Sequence, residues 1–267
     1  MVRTRALDAL LALLLAFAVG CGSDTTPPAP IATPTPSPSA TTAPPPPLAG
    51  HVVVIDPGHP GSFDASLHSR QVPAGNGRTK DCNLSGTSTN DGWPEHTYTW
   101  LQAEALRAEL EARGATVVLT RADDESPGLC VNERAAVAND AAADLMISLH
   151  ADGSLSSSAR GFHIIYSTTM EGGDELEARS QAFAELARDA LATTPMPVST
   201  YVGGGTGLSP RDDIAGVNLL TVSPGIMVEM GNMRHADDAT LLASEDFRRQ
   251  AAVALADAAQ GMLVVSE

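Results

Sequence analysis

The chain has 267 residues and a formal net charge of −16, from 16 Lys and Arg against 32 Asp and Glu. That balance excludes nucleic acid as a partner, because phosphate binding needs a basic face. Aromatic residues, at 4%, are too scarce for a long sugar-stacking platform.

Residues 1–21 read as an export signal. Arg3 and Arg5 make a positive start, and residues 9–19 form an apolar run too short to span a membrane. The run closes on Ala18-Val19-Gly20-Cys21, which resembles a lipobox. A lipidated Cys21 is therefore the expected membrane anchor, with ordinary cleavage as the alternative. Residues 22–48 hold ten prolines among Thr, Ser and Ala, too little apolar surface to fold. As polyproline II this tether would reach roughly 80 Å, at about 3.1 Å per residue. The expectation is an exported, monomeric domain over residues 49–267, held in the cell wall space at the outer face of the cell membrane.

The domain opens on Val52-Val53-Val54-Ile55-Asp56-Pro57-Gly58-His59, a β-branched run that ends in a turn and delivers a histidine. Residues 57–94, rich in Gly, Ser, Thr and Asn, read as one long irregular segment, and such loops are usually functional in compact domains. Trp100, Ala103, Leu106 and Leu110 then recur at helical spacing over 95–113, and Gly114 stops the helix. Strands are predicted at 116–120, 145–149, 162–167 and 226–230, and helices at 131–142, 174–193 and from Ser244 onward. This alternation predicts a single α/β domain: a largely parallel twisted central sheet with helices on both faces. With Cys21 taken by the anchor, Cys82 and Cys130 remain as an even pair in an oxidising compartment, and a disulfide is expected.

Three predicted strands end on chemistry: the first at His59, the 145–149 strand at His150, and the 226–230 strand at Glu229. The strand-tip rim is where ligands gather in open α/β sheets. A catalytic zinc takes three protein ligands and leaves a position open. His59 and His150 are the first candidates. Glu95, opening a helix directly after Pro94, is placed to point back toward His59 as the third. His96 would leave the helix in another direction. His68, His163 and His235 read as surface residues or as neighbours of the ligands, and His51 precedes the first strand. Gly203-Gly204-Gly205 lacks the Lys-Ser or Lys-Thr pair of a phosphate loop.

Taken in order, Val54-Ile55-Asp56-Pro57-Gly58-His59, Glu95, Leu119-Thr120-Arg121, Glu133-Arg134 with Ala138-Asn139, Ile147-Ser148-Leu149-His150-Ala151, Gly161-Phe162 and Val228-Glu229-Met230-Gly231-Asn232 resemble the zinc-dependent N-acetylmuramoyl-L-alanine amidases of the amidase-3 type. The likeness runs from about His51 to Leu263 and is closest to the mycobacterial and actinobacterial members, which share a Gly/Ser/Asn insertion with a cysteine before the glutamate ligand. It implies zinc bound by His59, Glu95 and His150, with Glu229 as the catalytic glutamate. Arg134 and Asn139 match positions that buttress the ligand-bearing strands. The implied substrates are peptidoglycan fragments (muropeptides), cut between N-acetylmuramic acid and L-alanine. Pro60, and Asp152 after Ala151, depart from the commonest pattern. The rival expectations are a zinc peptidase cutting within the stem peptide and a non-catalytic, lipid-tethered wall-binding protein.

Overall fold

The computed structural model describes residues 44–264, so the expected export signal and most of the expected tether lie outside the described residues. Its sheet has six strands: β1 (Val52–Pro57), β4 (Thr116–Leu119), β5 (Leu145–Asp152), β6 (His163–Ser167), β7 (Leu208–Arg211) and β8 (Gly225–Asn232), in the order β4-β1-β5-β8-β6-β7. The first four in that order run parallel; β6 lies antiparallel to β8 and parallel to β7. The sheet is thus mixed at one side, for a simple reason. Only residues 153–162 join β5 to β6, and a parallel return needs a crossover of a dozen or more residues.

Alternation along the central strands feeds two apolar layers. Val53, Ile55, Leu145, Ile147, Ile226 and Val228 face α2 (Glu95–Ala112), α4 (Asp174–Leu191) and α7 (Glu245–Val264). Val54 and Met146 face α3 (Val131–Asp140) and α5 (Ala215–Asn218) on the other side. Helix starts follow their sequence signals. Glu133 accepts the Cys130 N–H at 2.8 Å as α3 begins, and acidic residues fill the first turns of α4 and α7. A short helix, α6 (Ala236–Ala243), follows β8.

Three expectations need correction. Residues 57–94 are not wholly irregular: they contain α1 (Ala65–His68) and an antiparallel hairpin of β2 (Gln71–Pro73) and β3 (Thr79–Asp81). Its turn is Gly75-Asn76-Gly77, with φ of 82°, 54° and 69°, a left-handed run that Gly and Asn accept. Second, the folded unit takes in the end of the segment read as tether: Leu48 is fully buried and donates its N–H to Arg113 O at 2.9 Å. Third, burial removes the surface alternative for His68 and His163, leaving that of neighbours to the site. The expected disulfide is present, joining Cys82 to Cys130.

Candidate metal centre and active site

β1 ends in a turn whose backbone is held by three hydrogen bonds. Gly58 donates to Leu149 O at 2.9 Å, the Thr99 hydroxyl donates to Gly58 O at 2.8 Å, and Arg121 Nε donates to Pro57 O at 3.1 Å. This grip carries His59 at φ +63°, a backbone conformation that costs a non-glycine residue free energy and is tolerated where the surroundings over-determine it. Gly58 is required by contact as much as by conformation, since a Cβ there would lie 2.3 Å from His150 Cε1. Below the turn, buried Asp56 accepts from Arg134 at 2.9 Å, Thr120 at 2.5 Å and Ser148 at 2.7 Å. Burial pushes the Asp56 carboxyl up, but the Arg134 charge and the two hydroxyls outweigh it and hold it below the ordinary value.

Three side chains meet above this support. His59 Nε2 lies 3.1 Å from Glu95 Oε2 and 3.0 Å from His150 Nδ1, and His150 Nδ1 lies 3.2 Å from Glu95 Oε1. One ligand atom from each residue falls within 4.8 Å of the others. Tetrahedral zinc with bonds of about 2.0–2.2 Å sets its ligand atoms roughly 3.3 Å apart, so the donor set fits such an ion. The surrounding bonds also prepare the lone pairs. His59 Nδ1 donates to Leu84 O at 2.8 Å, so Nε2 is the nitrogen that would face an ion. Glu95 accepts the Thr87 N–H and the Ala151 N–H, each at 2.9 Å. Burial opposes ionisation of Glu95, but His59 and His150 outweigh it and hold its carboxyl below the usual range.

Glu229 faces His150 across β5 and β8, and His163 across β8 and β6. Directly opposed residues share a sheet face, so the three stand in a row. Its Oε2 is buried with no hydrogen-bond partner among the described residues. Burial, then the neighbouring charges of Glu95 and Asp152, push its carboxyl well above the ordinary value against the pull of Arg211. A carboxylate tuned upward in this way suits proton transfer near neutral pH. All four groups line one cavity of about 570 Å3, together with Phe63, Lys80, Asp152 and Met227.

The chain matches the family described as N-acetylmuramoyl-L-alanine amidase over residues 53–260. The chain belongs to this family. A curated relative, the N-acetylmuramoyl-L-alanine amidase Rv3717 of Mycobacterium tuberculosis, is 44% identical over 220 residues, covering 81% of this chain and 88% of the relative. The crystal structure of the N-acetylmuramyl-L-alanine amidase Ami1 from Mycobacterium smegmatis superposes with a TM-score of 0.77 at 42% identity, covering 82% of this chain and 99% of that one. Ami1 from Mycobacterium abscessus gives 0.76 at 38% identity, over 81% of this chain and 100% of its own.

Within this amidase fold His96, His51 and His68 have partners outside the triad. His96 Nδ1 is 2.8 Å from Asp124 Oδ1, His51 is 3.5 Å from Asp144, and His68 stacks on Phe63. Asn139 accepts the Thr221 N–H and donates to Leu219 O, each at 2.9 Å, tying α3 to the segment after α5. Sequence reasoning missed the loop at residues 84–87 as part of the centre. Its one readable signal is Gly86, at φ +77°, where a Cβ would come within 2.8 Å of both Glu95 Oε2 and His59 Cδ2.

Proposed function

We propose that the protein is a zinc-dependent N-acetylmuramoyl-L-alanine amidase that hydrolyses the amide between the lactyl group of N-acetylmuramic acid and L-alanine of the stem peptide. The observation that carries this reading is the convergence of His59, Glu95 and His150 beside a buried, partnerless Glu229 oxygen, in a chain of the amidase family.

His59 Nε2, Glu95 and His150 Nδ1 would hold the ion. Zinc bound there supplies a water acidified toward pH ~7 and a Lewis-acid pull on the substrate carbonyl. Glu229 takes a proton from the attacking water and returns it to the alanine nitrogen. The carbon–nitrogen bond breaks, a carbon–oxygen bond forms, and the products are a muramic carboxylate and a peptide with a free L-alanine amine. The location proposed is the wall side of the cell membrane, through lipidation at Cys21. The motif ending at Cys21 and the proline-rich stretch after it support that placement.

Mass spectrometry of a digested muropeptide tests the reading. Release of a peptide beginning at L-alanine is expected, and a new terminus inside the stem would overturn it. Glu229→Gln should keep bound zinc and lose activity by at least ~100-fold, the scale for removing a general base.

A further inference from the structure

Lys80 is the only lysine in the sequence, and it lines the cavity that holds the metal centre. It sits on β3, two residues before the Cys82–Cys130 disulfide, so its backbone is anchored. The other cation lining this cavity, Arg134, is spent on Asp56 at 2.9 Å. Lys80 is differently placed. Its Nζ donates to the main-chain carbonyl of Asp213 at 3.4 Å, while the Asp213 carboxylate is gripped on both oxygens by Arg211, at 2.8 and 2.7 Å. The remaining charged lining residues, Asp81, Glu95, Asp152 and Glu229, are acidic.

We propose that Lys80 is a specificity residue that binds the first free carboxylate of the stem peptide beyond L-alanine, the one on the second residue. The proposal rests on the amidase reading and adds to it the direction in which substrate lies. Of the two halves of the substrate, the sugar half carries no free charge once its lactyl carboxyl is in the amide, and L-alanine contributes only a methyl. A cavity cation that feels the Asp213 charge but forms no ion pair among the described residues therefore matches the peptide half. The peptide accordingly runs toward the β2–β3 hairpin and Lys80, and the sugar away from it.

The test compares N-acetylmuramoyl-L-alanyl-D-glutamate γ-amide, which keeps one free carboxylate on the second residue, with the α,γ-diamide, in which a carboxamide replaces it. Wild type should favour the acid in kcat/KM by about tenfold, the low end for a charge-assisted hydrogen bond because Lys80 is only half-buried. Lys80→Met should erase the preference, and Lys80→Arg should keep most of it. Calorimetric binding of the same pair to the zinc-loaded Glu229→Gln protein reads the discrimination without turnover. A Lys80-dependent preference in binding with no L-alanine-terminal product from wild type would sink the amidase reading and leave the Lys80 contact standing. Equal binding of acid and diamide to Glu229→Gln, or an acid preference that survives Lys80→Met, overturns the proposal.

Discussion

Replacing Arg134 with Met tests how the His59 turn is supported. In the wild type the Arg134 and Asp56 side chains are 5% and 3% exposed, with Nη1 to Oδ1 at 2.9 Å. Removing one partner of such a buried pair costs about 3–5 kcal/mol, because the other charge is stranded. Thr120 and Ser148 still donate to Asp56, so the lower part of that range, about 3 kcal/mol, is expected. For a folded unit of this size each kcal/mol shifts Tm by roughly 2–4 °C, which gives a fall of about 6–12 °C. The pH dependence has a definite sign. Asp56 in the wild type has its pKa lowered, so its contribution is complete above the ordinary carboxylate value and drains only as pH falls through the lowered one. In Arg134→Met, burial is left opposed by the Thr120 and Ser148 hydroxyls and the charge of His150, without the largest opposing influence; the folded-state pKa rises, and protonation relieves part of the penalty. The stability gap between variant and wild type should therefore narrow from pH 7 to pH 4. Urea unfolding followed by circular dichroism, at matched zinc, measures both. A gap below 1 kcal/mol at pH 7, or one that widens in acid, refutes the reasoning. Asp56→Asn with Arg134→Met should cost at least about 1 kcal/mol less than the two single changes added, since the partners are coupled.

His150→Ala should lose the bound zinc equivalent, measured by atomic emission on dialysed protein; full retention would discard His150 as a ligand. Gly86→Ala forces a Cβ to 2.8 Å from Glu95 Oε2 and His59 Cδ2 at a φ of 77°. It should weaken zinc binding about tenfold or more, as changes around ligands do, and competition against a chelator reads it. Cys82→Ala with Cys130→Ala opens a loop closed across a sequence separation of 48. It should destabilise by up to about 4 kcal/mol on the chain-entropy model, and an unchanged Tm would count against that account.

The meeting of His59, Glu95 and His150 is legible in the sequence because each sits at or beside an element boundary that composition marks strongly. Val52-Val53-Val54-Ile55 is a β-branched run that favours a buried strand, Pro94 suits the position before a helix, and residues 145–149 repeat the apolar pattern of the first. The direction of β6 is not legible from periodicity, which reports which face a residue occupies and says nothing of which way the strand runs. It follows instead from loop length, through the short 153–162 connection. The β2–β3 hairpin escapes because Val72 is the one buried apolar side chain in its strands, and three residues each are too few for alternation to register. Gly75-Asn76-Gly77 was the available sign. Leu48 escapes because four prolines precede it, and a composition window averages over the single side chain that docks.

The insertion between His59 and Glu95 is part of the candidate metal centre. A mere cover would touch the ligands through side chains and could be removed without altering them. Here the contacts are made by backbone: Leu84 O fixes which His59 nitrogen carries the proton, the Thr87 N–H holds Glu95, and Gly86 packs against both. The same segment is tied to α3 by the Cys82–Cys130 bond and by the Val131 N–H on Cys82 O at 2.8 Å. Through Arg134, α3 in turn holds Asp56 beneath the His59 turn. The disulfide, the buried ion pair and the three ligands therefore form one closed circuit of support. Loosening the insertion should weaken the metal site before it widens the cleft, and that order separates an integral loop from a gate.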